Sequence, residues 1–534
     1  MPKLGRFHDN ALDSIDWGTR VRSNDVTVYF ADRGETFARE TSEGWSSYEK
    51  SRAMAALDTY AEVTDLTFRE VSSPGRADFK LVLNDFGSRN QLGFFYPPRE
   101  QHGGVGVLNS GGAGWTPENG DRGGLADGGL GFSTLVHEFG HGLGLAHPHD
   151  RGGRSEVMRG VRTPFDDYGR DGLNKAVFTV MSYNQGGPGG DGGVGSTNAW
   201  GAQAGPGALD ITVLQAKYGA NRDFAAGDDV YVLPTGDRRG TFFRTIWDTE
   251  GVDEIRHQGE LGAVIDLRPA AERGETAGGF VSSARKSPGG FTIAAGVEIE
   301  NARGGRGRDV IIGNDADNRL RGGEGRDAMD GDSGRDALLG GAGGDTLYGG
   351  RGGDRLDGGA GTDSVQAGEG RDLVQGRAGR DEIAGDAGDD DLRGGAGRDR
   401  LFGGEGDDRL SGGDRADLLH GDAGRDSLQG GGGADRLHGG GGADVIDGGA
   451  GRDRMWGDAG ADRFVFHRAP EADRILDFEP GRDVIDVSGA GYVAADLKLV
   501  DLGDGRVRAR FDDGAHLVIQ GDDGAPSPDD FLFA

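Results

Sequence analysis

Apolar positions follow two different periods along this chain, and the change of period divides it. Before about residue 222 they follow helical and strand spacing, which predicts an α+β domain. Helices are expected over Tyr48–Val63 and over Asp210–Asn221, where Gly219 ends the helix. Strands are expected at Val26–Phe30, Leu66–Val71, Asp78–Leu83 and Val105–Asn109.

From Gly304 onward, one apolar residue recurs every nine residues in the pattern G-G-x-G-x-D-x-U-x. Eighteen copies follow without a register slip, and only Asn318 departs from Asp at the sixth position. The eighth position is apolar throughout, from Ile311 to Phe464. A disordered Gly/Asp-rich tail would keep neither the nine-residue spacing nor the apolar eighth position. We therefore predict a parallel β-roll in which short strands alternate with glycine turns that bind Ca²⁺.

The sixth-position carboxylates supply the hard oxygen ligands that calcium prefers. Without calcium the clustered charges repel one another, so the roll is expected to fold only where calcium is abundant. The predicted calcium ligands are Asp309, Asp327, Asp336, Asp345, Asp354, Asp363, Asp372, Asp381, Asp390, Asp399, Asp408, Asp417, Asp426, Asp435, Asp444 and Asp453.

The segments around the repeats contain short β-like runs. Before them, strands are expected at Asp229–Leu233 and Ala263–Leu267, and the acidic turn Trp247–Asp253 is either a calcium site or a solvated turn. After them, three strands are expected to cap the open end of the roll, at Val465–His467, Arg474–Phe478 and Asp483–Val487. The predicted division is a tail (1–15), a catalytic domain (16–221), a β-rich connection (222–302), the calcium roll (303–466) and a β cap (467–534).

Composition restricts the partners and the export route. A formal net charge of −31 argues against nucleic acid and anionic membranes and favours cations. The chain has no cysteine, so disulfides and thiolate metal sites are excluded. No apolar run is long enough for a transmembrane helix, and Met1–Asp16 lacks the apolar core of a cleavable signal peptide, so secretion would need another route.

Residues 132–147 contain the array H-E-x-x-H-x-x-G-x-x-H. His137 and His141 lie four apart, on one face of a predicted helix. Gly144 allows the chain to leave the helix and to return His147 as a third ligand. Three imidazoles suit one catalytic Zn²⁺ with an open position for water, and Glu138 is placed as the general base.

Downstream of this array, Thr179–Tyr183 supplies a sequence that matches a Met-turn. Together with the nonapeptides, these motifs resemble the serralysin-type zinc proteases, metzincins among the RTX proteins. Further matches to that family are Gly207–Ile211, Thr245–Thr249 and Gly296–Ala302. The resemblance implies a metzincin fold in the catalytic domain.

The resemblance also implies roles for two residues of the Met-turn. Met181 is expected to pack beneath the three imidazoles, and Tyr183 to stabilise the tetrahedral intermediate. The alternative is that both are ordinary core residues. The resemblance further implies protein substrates, an extracellular location and export from a Gram-negative bacterium by a type I apparatus that reads the C-terminus, where Asp529–Ala534 fits such a signal. A monomer is the default expectation.

Several positions leave alternatives open. His149 is either an extra metal ligand or a solvated loop histidine, and His8 and His102 are expected at the surface. Val105–Asn109 is either an edge strand on which an extended peptide lies or an ordinary sheet strand. Ser133 or Thr134 is the expected cap of the zinc helix. The connection from Pro148 to Val180 looks longer than in the family.

The sequence therefore predicts a secreted zinc endopeptidase whose calcium roll stabilises it outside the cell. One alternative is a calcium-dependent RTX binding or surface protein with an inactive metzincin domain. Another is a zinc hydrolase that acts on a substrate other than protein.

Overall fold

The computed structural model describes residues 10–88, 91–115, 124–127, 129–150, 155, 157–159, 161–163, 167–168, 173–184, 202–236, 241–271, 276–521 and 524–534. His8, most of the predicted tail and part of the 148–180 connection lie outside these residues. The chain forms two compact units, Met1–Ile299 and Glu300–Ala534. The division into five segments stays a prediction.

The described residues of the first unit form four α-helices: α1 (Asn10–Ile15), α2 (Ser47–Val63), α3 (Leu130–Gly142) and α4 (Ala208–Tyr218). The two helices expected from apolar spacing are confirmed as α2 and α4, whereas α1 falls in the predicted tail. A short 3₁₀ turn spans Pro74–Arg76.

The expected cap of the zinc helix is wrong. Helix α3 begins at Leu130, with Gly129 at the N-cap and no side chain in the capping role. Thr134 lies inside the helix, where its hydroxyl donates to the Leu130 carbonyl at 2.9 Å. Because Gly129 already has the extended backbone that a cap needs, the helix starts directly after this residue.

A five-stranded sheet supports the helices, in the order Thr67–Glu70, Asp25–Phe30, Phe79–Asn84, Val105–Asn109, Gly93–Phe95. The first four strands are parallel, and Gly93–Phe95 pairs antiparallel with its neighbour. Val105–Asn109 is therefore an interior strand, and the edge-strand interpretation of it is wrong. A separate antiparallel pair is formed by Thr36–Phe37 and Glu40–Thr41.

The core of this unit lies where α2 and α3 meet the sheet. Ser46 caps α2 through a capping box, because its hydroxyl accepts from the Glu49 amide and the Glu49 carboxylate accepts from the Ser46 amide. The largest fully buried side chains come from α2, α3 and the sheet, and include Leu57, Tyr60, Phe79, Phe132 and Phe139. Burial of these side chains fixes α3 and hence the face that carries the histidine motif.

After α4, the described part of the first unit contains several short strands. The expected strands near 230 and 263 are confirmed at slightly shorter lengths. The strand bounds are Val230–Val232, Phe243–Ile246, Glu254–Arg256, Ala263–Asp266, Ser282–Ala284 and Gly290–Ile293.

The second unit is a parallel β-solenoid of about 10 turns, which confirms the predicted roll. Each residue of a strand pairs with the one eighteen positions later, as Leu401 does with Leu419, so successive strands alternate between two sheets. All the eighth-position side chains from Ile311 to Phe464 are buried. The strands are Asn301–Arg303, Val310–Asn314, Arg319–Glu324, Ala328–Asp332, Ala337–Gly343, Thr346–Arg351, Arg355–Gly361, Ser364–Glu369, Leu373–Gly379, Glu382–Ala387, Asp391–Gly397, Arg400–Glu405, Arg409–Asp414, Leu418–Ala423, Ser427–Gly433, Arg436–Gly442, Val445–Gly451, Arg454–Gly460 and Arg463–Val465.

An aromatic ladder runs along the outside of one sheet of the roll. It consists of Phe402, His420, His438 and Trp456, one from each of four consecutive turns. The ring centroids of successive members lie 5.4, 4.6 and 4.2 Å apart, and each pair of rings is nearly parallel. The sheet spacing therefore stacks these rings face to face.

The roll ends in the strands Glu471–Phe478, Val484–Asp486, Lys498–Gly503, Arg506–Arg510, His516–Gly521 and Phe531–Leu532, with 3₁₀ turns at Ser488–Ala490, Ala494–Asp496 and Pro528–Asp530. Two of the expected cap strands are confirmed near their predicted positions, and the first lies two residues earlier, at Arg463–Val465. Antiparallel pairing of the strands at 498–503, 506–510 and 516–521 closes the end. Within the described residues, no helix is long and apolar enough to cross a membrane.

Candidate metal centre and cation-binding carboxylates

Helix α3 and the turn after it bring the three predicted histidine ligands together. The Nε2 atom of His147 lies 3.1 Å from the Nε2 atoms of both His137 and His141. Gly144 has φ +90°, so the chain reverses there as the sequence predicts. Zinc bonded to nitrogen at 2.0–2.1 Å would place tetrahedral ligands about 3.3 Å apart, so the cluster fits this ion.

Hydrogen bonds on the opposite side of each ring orient the ligands. The Nδ1 atom of His137 donates to the Val180 carbonyl at 2.7 Å, and that of His141 donates to the Leu145 carbonyl at 3.0 Å. Both rings are then protonated on Nδ1, which is the tautomer that metal binding through Nε2 requires. Their Nε2 lone pairs point to a common centre. Burial lowers the pKa of His137 to about 3 and lowers the pKa of His141 well below its usual value, and the neighbouring His147 adds to both shifts.

Asp150 completes the set, and sequence reasoning missed it. Its Oδ2 atom accepts from Nδ1 of His147 at 2.7 Å. Burial alone would raise the pKa of Asp150, but the hydrogen bond and the charge of His147 outweigh it, and the pKa is lowered. The only sequence signal is an acid three residues after the third ligand.

Glu138 lies beside this cluster with a carboxylate that has a free oxygen. The side chain is buried, and Oε2 has no hydrogen-bond partner. Burial raises the pKa of Glu138 to about 8. A cation held by the adjacent imidazoles would favour the ionised carboxylate, which can then accept a proton.

Tyr183 reaches the same centre from the Met-turn. Its hydroxyl lies 2.8 Å from Nε2 of His147, and its ring stacks on His137 with centroids 5.6 Å apart. Burial, together with the charge of Glu138, raises the pKa of Tyr183, so the phenol keeps its proton and can donate it to an oxyanion. The structure thus brings Tyr183 to the three histidines.

Asp210, at the start of α4, anchors the Met-turn. Its carboxylate accepts from the Thr179 hydroxyl at 2.6 Å, the Val180 amide at 2.7 Å and the Gly207 amide at 2.8 Å. Val180 is also the residue whose carbonyl orients His137. Met181 is fully buried and lies under α3, where a Cβ on Gly140 would be 2.8 Å from its sulfur.

The other histidines differ from one another. His149 is not a solvated loop residue: its ring stacks on that of His147 at 5.0 Å, and its side chain is only 20% exposed. Its ligand atom lies close to those of His147 and Asp150, so the extra-ligand alternative stays open. His102 is exposed, as predicted.

The repeat aspartates have one carboxylate oxygen in use and one oxygen without a partner. From Asp327 to Asp462, each Oδ1 accepts from the backbone amide eighteen residues earlier, as Asp327 does from Asp309 at 2.8 Å. Each Oδ2 is buried and has no hydrogen-bond partner. Asp462 shares this environment although it was not among the predicted ligands.

Glycine leaves room for each of these free oxygens. A Cβ on Gly322 would lie 2.5 Å from Oδ2 of Asp327, and a Cβ on Gly340 would lie 2.6 Å from that of Asp345. Burial raises the pKa of Asp327 to about 7. Buried, charged oxygens in a glycine cradle suit a hard cation such as Ca²⁺.

The first predicted ligand, Asp309, differs from the others. Its Oδ2 accepts from the Gly305 amide at 2.7 Å, so that oxygen is already hydrogen-bonded. Asn318, which replaces Asp at the sixth position of its repeat, is hydrogen-bonded in the same way. Its Oδ1 atom accepts from the Asn314 backbone amide at 2.8 Å.

The acidic turn Trp247–Asp253 is only partly solvated, since Glu250, Gly251 and Val252 are exposed. Asp248 and Asp253 are buried, and their ligand oxygens and that of Asp229 lie within 4.8 Å of one another. Oδ1 of Asp248 has no hydrogen-bond partner, whereas Oδ2 accepts from the Tyr231 hydroxyl at 2.5 Å. The calcium-site alternative for this turn stays a prediction.

Comparison with known proteins extends these observations. The family model described as Peptidase M10 serralysin C terminal matches residues 225–518. Serralysin from Photorhabdus luminescens is 32% identical over 286 residues, which cover 51% of this chain and 54% of that protein. Metallopeptidase AprA from Pseudomonas marginalis is 31% identical over 294 residues, which cover 52% and 56%.

The chain spans about half the length of the curated relatives it matches. Among solved structures, the AlgE6R3 subunit of the Azotobacter vinelandii mannuronan C5-epimerase is 33% identical and covers 25% of this chain and 81% of its own. Its TM-score of 0.16 is too low to support an argument about the fold.

Proposed function

Because the chain belongs to the serralysin-type family of M10 peptidases, we propose that it is a secreted zinc-dependent endopeptidase. The observation that carries this proposal is the cluster of His137, His141 and His147, each with its Nδ1 atom held by an acceptor. A zinc ion held by their Nε2 atoms would polarise a peptide carbonyl and make water more acidic.

The surrounding residues supply the proton transfers of peptide hydrolysis. Glu138 accepts the proton of the attacking water through its free Oε2 and returns it to the leaving amine. The Tyr183 hydroxyl donates a hydrogen bond to the carbonyl oxygen of the scissile bond as that oxygen becomes an oxyanion. Burial of Glu138 strengthens these interactions by keeping bulk water away.

The edge strand Gly93–Phe95 offers a place for an extended substrate. It passes directly beside the proposed base, since a Cβ on Gly93 would lie 3.1 Å from Cγ of Glu138. Its outer edge is free to pair with a peptide backbone within the described sheet. Backbone pairing there would set the scissile bond near the histidines with little dependence on side chains.

Calcium bound by the repeat aspartates would stabilise the roll outside the cell. The support is the unpartnered Oδ2 atom of every repeat from Asp327 to Asp462. The resemblance adds the type I export route and the extracellular location.

Digestion of casein by the full chain, refolded in millimolar Ca²⁺ with zinc, tests the enzymatic proposal. Wild type should digest it, and Glu138→Gln should be about 10²- to 10⁴-fold slower, because it cannot accept the proton. Glu70→Gln, at an exposed position at the end of the strand Thr67–Glu70, is the matched control and should retain full activity.

Two outcomes would overturn the proposal. If wild type folds and holds zinc but leaves casein intact, a calcium-dependent binding protein or a hydrolase of another substrate is favoured. If Glu138→Gln is as active as wild type, Glu138 is not the base.

A further inference from the structure

A buried lysine at the end of α4 lies against the turn that carries the third histidine. Lys217 is 2% exposed. Its ammonium group donates to the carbonyls of Thr19 at 2.8 Å and Gly144 at 3.0 Å, and it pairs with the Asp16 carboxylate. A buried charge needs such partners, so the position of the ammonium group is strongly determined.

The backbone of the N-terminal segment is also bonded to this turn. The Trp17 amide donates to the Gly144 carbonyl at 3.1 Å, and the Ala146 amide donates to the Ile15 carbonyl at 2.9 Å. Asp16 and Leu145 form an antiparallel bridge between these bonds. His147 follows Ala146 directly, so the segment around Asp16 fixes the backbone that presents the ligand.

Tyr218, next to Lys217, adds a second connection between the same segments. Its hydroxyl donates to the Leu143 carbonyl at 2.8 Å and accepts from the Val21 amide at 3.1 Å. The last two residues of α4 thus contact the turn and the N-terminal segment together.

The N-terminal segment and Lys217 approach Gly144 so closely that only glycine fits at this position. This is a second reason for glycine here, besides the end of the helix. A Cβ on Gly144 would lie 2.2 Å from the Thr19 carbonyl oxygen and 3.2 Å from the Lys217 ammonium nitrogen. The Gly144 carbonyl accepts from both Trp17 and Lys217. The turn is therefore enclosed by the N-terminal segment on one side and by α4 on the other.

We propose that Asp16 and Lys217 are positioning residues, which hold His147 in its metal-binding place by tying the N-terminal segment to the 143–146 turn. They touch none of the reacting atoms. The inference rests on the proposed function only in that the three histidines bind zinc.

Zinc affinity of the full chain, refolded in millimolar Ca²⁺, tests this. Lys217→Met keeps the length of the side chain and removes the ammonium group. It should bind zinc about 10- to 100-fold more weakly in competition with a zinc chelator, as is typical when a group that supports a ligand is lost. Activity should return to the wild-type value at saturating zinc, because no reacting group has changed.

Lys50→Met is the matched control, since Lys50 pairs with Glu70 at the surface. Its zinc affinity should equal that of wild type. If Lys217→Met does not fold by circular dichroism, Asp16→Asn takes its place, because it removes one charge and leaves the two carbonyl partners of Lys217. Lys217→Arg, which restores a cation, should recover part of the affinity.

The outcomes separate this inference from the proposed enzyme. A folded Lys217→Met or Asp16→Asn protein with wild-type zinc affinity would overturn the positioning role alone. Wild type that binds zinc but does not cleave casein would overturn the enzyme and leave this inference standing. Wild type that holds no zinc would overturn both.

Discussion

The Asp150 carboxylate orients one of the proposed metal ligands, His147, from outside the histidine motif. Its hydrogen bond to Nδ1 of His147 selects the tautomer and makes the ring a better donor through Nε2. We expect Asp150→Ala to weaken zinc binding about 10- to 100-fold, and Asp150→Asn to weaken it less, because an amide oxygen still accepts. Chelator competition in millimolar Ca²⁺ measures both.

The control for that experiment is Asp32→Ala, an exposed aspartate on another loop. Equal zinc affinity of Asp150→Ala and wild type would show that His147 is oriented by its backbone alone.

Asp150 also illustrates what the sequence could and could not predict at single residues. His137, His141, His147 and Glu138 have fixed offsets within one motif, so spacing alone was enough to predict that the three histidines lie together. The contact of Asp150 with His147 depends on the path of the chain after the third ligand, which no local spacing determines. Lys217 was missed for the same reason, since its partners are about seventy and two hundred residues away.

At the scale of elements, the start of α4 supports the Met-turn through one carboxylate. Asp210→Ala would leave the Thr179 hydroxyl and the amides of Val180 and Gly207 without their acceptor. Each buried donor left unpaired costs about 1–3 kcal/mol, so the loss should exceed about 3 kcal/mol. Thermal unfolding measures it, and zinc affinity should fall too, because Val180 orients His137.

An exposed aspartate gives the comparison: Asp32→Ala should leave both quantities unchanged. A melting temperature of Asp210→Ala equal to that of wild type would contradict the anchoring role.

Within one strand of the roll, neighbouring residues should differ sharply in their contribution. Leu401 points inward and is fully buried, whereas Arg400 is exposed and forms only a weak surface pair with Glu382 at 3.8 Å. We expect Leu401→Ala to cost about 2–5 kcal/mol in calcium, and Arg400→Ala less than about 1 kcal/mol. A calcium titration monitored by circular dichroism, followed by urea unfolding, measures the stability of the two variants. Similar losses of unfolding free energy in Leu401→Ala and Arg400→Ala would show that the roll has no specific core.

The elements themselves were largely predictable where one local pattern decides them. The nonapeptide period identified the roll, because each strand needs only one inward side chain at a fixed offset. The order of strands was not predictable: Val105–Asn109 is interior because Gly93–Phe95 pairs outside it, and such pairing depends on contacts distant in sequence. The start of α3 was misplaced because backbone glycine, not a side chain, occupies its N-cap.

For the whole molecule, the net charge of −31 and the buried carboxylates would make protons compete with the proposed calcium ions. Burial raises the pKa of Asp327, Asp381 and Asp462 to about 7, and like-charged neighbours add to this shift. In the unfolded chain these groups titrate near 4. The calcium-free folded roll therefore binds more protons than the unfolded chain between these values, and its stability falls as pH rises from about 4 to about 7.

We expect the roll in excess chelator to show more β-structure by circular dichroism at about pH 5 than at about pH 7.5. With calcium we expect the opposite pH dependence, because the carboxyl groups must lose their protons before the ion binds. The calcium concentration for half-maximal folding should rise as pH falls from about 7 to about 5. A midpoint independent of pH would mean that these carboxylates stay ionised without calcium. Sodium at equal ionic strength controls for screening.

The eighteen-residue register has a consequence for how such a chain can change in length. Inserting or deleting one nonapeptide would move every later strand to the opposite sheet. An insertion after Phe402 would then break the stacking of His420 on Phe402, and it would carry His438 and Trp456 with His420 to the opposite sheet. Two nonapeptides inserted together restore both sheets, so we expect natural duplications in this region to come in multiples of eighteen residues.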